Sequence, residues 1–244
     1  MIIDVHAHCG SWYFPSEITE SAQVSKLCDI HDIHRIVFSS SLAILYDMVE
    51  GNHQTSKFIE EDERFRGYVY LDPSQAQRSG EEIARYEDNL SFVGFKMHPS
   101  YSGENPDSQN TFEMMERLPD GAKILIHTWA PDGVKSVCRL ASRFPHLSII
   151  MGHMGGTQER DWRAGIEGAR VTPNTYLEIC GSLLHRDRIA DAVKAIGSER
   201  ILYGSDTTLI SPAWSIGQVM GSNIRDEDRR NILFDNATRL FEFT

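Results

Sequence analysis

Eight short runs rich in Val, Ile, Leu, Phe and Tyr recur along the chain. They are IIDVHAH from Ile2, RIVFSSS from Arg35, RGYVYLD from Arg66, FVGFKMH from Phe92, KILIHT from Lys123, LSIIMGH from Leu147, TYLEICG from Thr175 and RILYGSD from Arg200. The segments between them read as helices, as in EEIARYEDNL from Glu81, DGVKSVCRLASRF from Asp132 and RDRIADAVKAIG from Arg186. Each of these three places apolar residues three and four apart, the stripe a helix needs to cover a sheet. Strand, helix, strand at this pitch means parallel βαβ units, and eight of them close most naturally into a (β/α)8 TIM barrel. A doubly wound sheet would carry a Gly-rich phosphate turn after its first strand, and HCGSWYFP after Ala7 has none. The stretch from Asp226 to Phe243 reads as a closing helix, and with no linker, repeat or low-complexity tract residues 1–244 form one α/β domain.

Composition narrows the partners. The 244 residues carry 24 basic and 35 acidic side chains, a formal charge of −11, which argues against a nucleic acid or an anionic membrane as the main partner. Apolar residues make up 41% and charged ones 24%, as in an ordinary globular protein. Cys9, Cys28, Cys138 and Cys180 are too scattered to read as a disulfide framework. Asp4 and His6 interrupt the first apolar stretch, so it does not read as a signal peptide, and no apolar run reaches membrane-spanning length. The expected setting is therefore the cytoplasm.

Side chains alternate along a strand, so one parity faces the barrel axis. In IIDVHAH, Ile3, Val5 and Ala7 share one parity and Asp4, His6 and His8 the other, which sends both histidines inward at the C-terminal end, where barrel enzymes build their sites. The same test turns Gly94, Lys96 and His98 inward and places His127 above Leu125. His153 ends the sixth run and Asp206 the eighth, with Gly204 below it. A lone histidine is more often a hydrogen-bonded structural residue than a ligand, and HxH alone occurs often by chance. Convergence decides the matter: His6, His8, His127, His153 and Asp206 gathered around one axial point would leave several buried polar atoms unpaired unless a cation sits among them.

This constellation resembles the amidohydrolase superfamily, whose pattern is HxH on the first strand, often Lys on the fourth, His on the fifth and sixth, and Asp on the eighth. The phrases DVHAH, GFKMHP, ILIHT, GHMGG and ILYGSD are similar to those of the branch containing aminocarboxymuconate semialdehyde decarboxylase. The resemblance implies one divalent ion, Zn2+ first with Mn2+, Fe2+ or Co2+ as alternatives, held by His6, His8, His127 and Asp206. It implies His153 as the acid or base beside a metal-activated water, with Asp206 also taking a proton. In two-metal relatives the lysine at the place of Lys96 is carbamylated and bridges two ions; unmodified, Lys96 would bind a substrate carboxylate with His98 beside it.

The expected activity is hydrolysis of a small carboxylate-bearing amide, lactone or ester, with a non-oxidative decarboxylase or hydratase on the same metal as the alternative. A barrel that binds without turnover is the third reading. Specificity would come from loop residues such as Trp12, Tyr13, Trp129, Arg160 and Arg163, of which Trp129 and Arg163 are expected at the substrate, although exposed loop aromatics equally form homo-oligomer contacts. Glu178 and Cys180 share the inward parity of the seventh run; Glu178 reads as a partner for a ligating histidine or for a barrel lysine, Cys180 as core, and His31 and His34 as surface residues away from the site.

Overall fold

The computed structural model describes residues 1–16, 18–181 and 187–243. Eight parallel strands follow one another in chain order: β1 (Ile2–Cys9), β2 (Ile33–Ser40), β3 (Phe65–Tyr70), β4 (Phe92–Met97), β5 (Lys123–Ile126), β6 (Ser148–Met151), β7 (Thr175–Glu178) and β8 (Ile201–Leu202). Closure between β8 and β1 rests on Val5 N donating to Tyr203 O at 3.0 Å, Asp206 N donating to His6 O at 2.8 Å, and the pairing of Ala7 with Thr207. The result is an α/β TIM barrel.

Two apolar layers hold it together. Ile36, Phe38, Phe65, Met97, Ile124, Ile126, Ile149, Met151, Leu177 and Ile201 face outward, where they meet Val24, Val134, Val137, Leu140 and Trp162 of the surrounding helices. Ile3, Val5, Val37, Tyr68, Leu125, Ile150 and Leu202 fill the barrel interior, plugged from below by Ala237, Leu240 and Phe241. Each such aliphatic side chain taken from water contributes about 1.5–3 kcal/mol, so the plug makes the lower barrel a solid core and leaves the upper rim for polar residues.

Ile3 and Val5 belong to the interior, which corrects the alternation expected for β1. Between Asp4 and Ala7 the register against β2 slips by one residue, since Asp4 pairs with Ile36 and Ala7 with Phe38. This bulge resets the phase: below it odd-numbered residues point inward, and above it His6 and His8 do. The helices differ from expectation mainly at their ends. The one expected from Glu81 runs Ala76–Tyr86, following a turn capped by Asp72, and the one expected from Asp132 runs Ala130–Arg143 with Pro131 in its first turn. The next is described over Arg188–Ile196, so its expected start at Arg186 lies outside the described residues. The closing helix continues from Asp226 to Phe241 through a π turn at Asn231–Asp235. No described helix is long and apolar enough to cross a membrane.

Candidate active site

The polar residues above the core come together at the C-terminal mouth. His8 Nε2 lies 3.1 Å and His6 Nε2 3.8 Å from Asp206 Oδ1, and the donor atoms of these three residues all lie within 4.8 Å of one another. His6 Nδ1 is 2.8 Å from Glu178 Oε2, which sets that nitrogen as the proton-bearing one and turns the Nε2 lone pair toward the site. His8 Nδ1 is held by Ser39, 3.2 Å from its hydroxyl and 3.3 Å from its carbonyl.

Burial first, and then the nearby Lys96 charge, lower the basicity of His6. Burial also lowers that of His8, against the pull of Asp206. Both rings are therefore neutral at neutral pH, the form that ligates a metal. For Asp206 burial acts in the opposite sense, yet the hydrogen bond to His8 and the fields of His6 and His153 hold its carboxyl well below the usual range. Glu178 is buried too, and the interaction with His6 brings it down to about 2. Neutral imidazole nitrogens and a carboxylate facing one point suit a divalent transition metal, so the residues present fit the ion that the sequence pattern implies.

His127 takes a different place. Its ring is sandwiched between His98, 3.8 Å away and nearly parallel, and Trp129, 5.3 Å away at 7°, and its Nδ1 meets His153 Nε2 at 2.9 Å. Besides His6, His8 and Asp206, a second group of clustered donors is formed by His6, His153, Glu178 and Cys180, and His127, expected as the fourth ligand, belongs to neither group. His153 is reached in an unexpected way. Strand β6 stops at Met151, and His153 and Met154 adopt left-handed backbone (φ of 57° and 52°) that folds the His153 ring back over the site. Its backbone N–H donates to Glu178 Oε2 at 3.2 Å, and its Nδ1 lies 3.1 Å from Cys180 Sγ. Burial brings its pKa down to about 4. Asp206 also has left-handed backbone, φ 65°, so both expected proton-handling groups sit on strained residues fixed by their surroundings.

Lys96 and Arg163 are not brought to the wall where a substrate would lie. Lys96 is fully buried, its Nζ 2.9 Å from His6 Nε2, and burial lowers it to about 8. Arg163 projects from the outer face of the helix Glu159–Val171, paired with Glu159 at 2.7 Å and Asp191 at 3.5 Å. Cys180 is fully buried, as expected of a core residue, and its Sγ also lies 3.1 Å from both His6 and His153; its inward parity just beyond the end of β7 was the available signal. Asp4 was also missed as a contributor. Its Oδ1 accepts from the backbone of His6 at 3.1 Å and of Ser205 at 3.0 Å, tying together the two chain segments that carry His6 and Asp206.

The open space above these groups is a cavity of about 380 Å³ lined by His8, Trp12, Phe14, His98, Ser100, Tyr101, His127, Trp129, His153, Asp206 and Leu209. Gly204 lets the floor close. A Cβ there would stand 2.1 Å from Glu178 Oε1 and 2.9 Å from His6 Cβ. Gly204→Ala is therefore expected to displace Glu178 and His6, lowering the melting temperature and the metal content together; overpacking of this kind costs about 1–3 kcal/mol. A variant with wild-type melting and metal content would show that the floor is looser than this.

A (β/α)8 barrel with buried histidines and an aspartate gathered at its C-terminal mouth is the scaffold of a metal-dependent enzyme. Residues 3–243 match the amidohydrolase family model, and the chain belongs to that family. It is 24% identical over 281 aligned positions to gamma-resorcylate decarboxylase of Polaromonas sp. (strain JS666), covering 89% of this chain and 86% of that one. Its fold is similar to that of 5-carboxyvanillate decarboxylase from Novosphingobium aromaticivorans, solved with manganese and 3-methoxy-4-hydroxy-5-nitrobenzoic acid (TM-score 0.79, 15% identity, 100% of this chain and 97% of that one). It is equally similar to an amidohydrolase from Burkholderia multivorans with bound zinc (TM-score 0.79, 13% identity, 100% of both chains). The superfamily expected from the motifs is thus the right one. The named activities stand nearer the decarboxylase alternative than hydrolysis.

Proposed function

We propose that this protein is a metal-dependent, non-oxidative decarboxylase of a small hydroxyaryl carboxylate. The observation that carries the reading is the charge pattern of the cavity. Its described wall is mainly aromatic and imidazole, with Asp206 as its one carboxylate and Ser100 and Leu209 beside them, and it holds no Lys or Arg, because Lys96 is buried against His6 and Arg163 faces away. A second positive group, besides the one that activates the water, would favour a hydrolase for a carboxylate-bearing amide. Here a single cation position serves the mouth, and a substrate carboxylate placed in this cavity must use it. The decarboxylase relative, whose substrate has hydroxyl groups beside the carboxylate, supports the same reading.

His6, His8 and Asp206, with His127 approaching from β5, would hold the ion, which supplies positive charge for the carboxylate and the neighbouring phenolic oxygen. Trp12, Phe14, Tyr101 and Trp129 wall a flat ring and exclude water, which leaves the carboxylate less well solvated and favours its loss as neutral CO2. The ring carbon bearing the carboxylate takes up one proton. The bond to the carboxyl carbon then breaks, its electron pair returns to the ring, and CO2 departs. Of the groups lining the cavity, His153 is assigned as the proton carrier: it takes a proton from solvent at the cavity, passes it to the ring carbon and returns to the neutral form that burial favours, while Asp206 stays ionised and orients His8.

The test is CO2 release from a panel of ortho-hydroxybenzoates by metal-loaded protein, run beside amide and lactone hydrolysis. Release of CO2 is expected; turnover confined to the amides or lactones would overturn the reading. The same preparations decide the state of Lys96. With one ion, Lys96→Met keeps about one equivalent of metal and binds it no more weakly, because a buried positive charge has left the site. Loss of half the metal in this variant would establish a carbamylated, bridging Lys96 instead.

A further inference from the structure

Arg188, in the first turn of the helix Arg188–Ile196, is fully buried, and no carboxylate among the described residues pairs with it. A guanidinium taken from water is costly unless its N–H groups are met, so what meets them shows what the residue is for. Its Nη2 donates to the carbonyl of Ile179 and to Gln218 Oε1 of the helix Pro212–Gly221, both at 2.5 Å, and its Nη1 donates to Met154 Sδ at 3.6 Å. Two of these acceptors are next neighbours of the site. Met154 follows His153, and both have the left-handed backbone that turns the His153 ring over the cavity. Ile179 precedes Cys180, whose Sγ lies 3.1 Å from His153 Nδ1. Arg188 therefore grips the chain on both sides of the contact between His153 and Cys180. Burial brings its pKa down to about 10, which leaves it charged at neutral pH.

We propose that Arg188 is a positioning residue for His153: through Met154 and Ile179 it sets where the imidazole stands over the cavity, without touching the substrate itself. This rests on the decarboxylase reading for the proton that His153 carries, and on the contacts alone for the positioning. Arg188 is absent from the cavity wall, so it acts only through its neighbours. A planar guanidinium suits the task, because its fork offers N–H groups in fixed directions to acceptors on different elements, which neither a lysine ammonium nor an apolar side chain can reproduce. Left-handed backbone at a residue other than glycine persists only where its surroundings hold it, and at Met154 the bond from Arg188 is such a hold. Gln218 braces the guanidinium from the side away in sequence from both segments.

Zinc-loaded Arg188→Lys and Arg188→Met test this. Histidine-selective 15N spectra read the ring without any substrate, the His153 signals being assigned by their loss in His153→Asn. Both variants should shift the His153 nitrogens, Arg188→Met the more, while those of His8, held by Ser39, stay as in the wild type. Gln218→Met loosens the guanidinium without altering either segment it grips, so a smaller shift of the same signals is expected, and this variant keeps the test sound if those at Arg188 fold poorly. In turnover, kcat should fall by about 10- to 100-fold in Arg188→Met, the scale of a misplacement of about 1 Å, with KM and metal content close to wild type. His153 signals unmoved in all three variants would overturn the proposal. So would a loss of kcat matched by equal losses of metal and folded fraction, which is what a purely structural arginine gives. The spectra need no turnover, so if no acid releases CO2 while the His153 signals respond, the decarboxylase reading fails and the positioning stands.

Discussion

Replacement of His6 and His8 together by Ala is expected to give folded protein that retains no stoichiometric metal and releases no CO2. The two imidazoles supply two of the three donors of the His6, His8 and Asp206 group, and the remaining Asp206 cannot hold a transition ion alone against water. His6 has a second task, since its Nδ1 satisfies Glu178, a carboxylate with no exposure to solvent. Glu178→Gln gives the graded companion result. It keeps the shape but weakens the acceptor for His6 Nδ1, and loss of such a partner typically costs 10- to 100-fold in metal affinity. Elemental analysis after dialysis measures both. Stoichiometric metal retained by the double variant would place the ion elsewhere, and an unaltered affinity in Glu178→Gln would remove that residue from the support of His6.

His153→Asn is expected to leave metal content unchanged and to lower turnover by about 10² to 10⁴, the usual contribution of a positioned acid or base. The ring lines the cavity and clusters with His6, Glu178 and Cys180 rather than with the His6, His8 and Asp206 group, so removing it takes no donor from the latter. The ring is oriented by Cys180 at Nδ1 and His127 at Nε2, which Asn cannot engage in the same way at both ends, whereas the backbone N–H bond to Glu178 is retained. Loss of metal along with activity would assign His153 to the ion and favour a two-metal site. Full activity with full metal would remove it from the mechanism and leave Asp206 as the proton carrier.

The sequence by itself determined the barrel and most of the site's membership. A period-two pattern in eight short runs reports which residues share a strand face, and intervening helical stripes force those strands to be parallel. That logic brought His6, His8, His98, His127 and Asp206 to one end, and it placed Glu178 and Cys180 inward on β7. It failed wherever position depends on backbone that alternation does not encode. The bulge in β1 reverses the phase between Val5 and His6, so the right histidines face inward although the residues below them face the other way from simple alternation. His153 enters the site through left-handed backbone beyond the end of its strand, which no parity rule describes. Arg163 reads as a loop cation near the mouth, but its helix turns it outward to Glu159 and Asp191. Lys96 is inward as expected, yet packing sets it under His6 rather than on the cavity wall, and that placement bears most directly on the substrate. Local pattern fixes the face on which a side chain emerges. Depth, reach and the identity of its neighbour across the barrel are set only when the strands close and the loops fold over them, because those distances depend on residues far away in sequence.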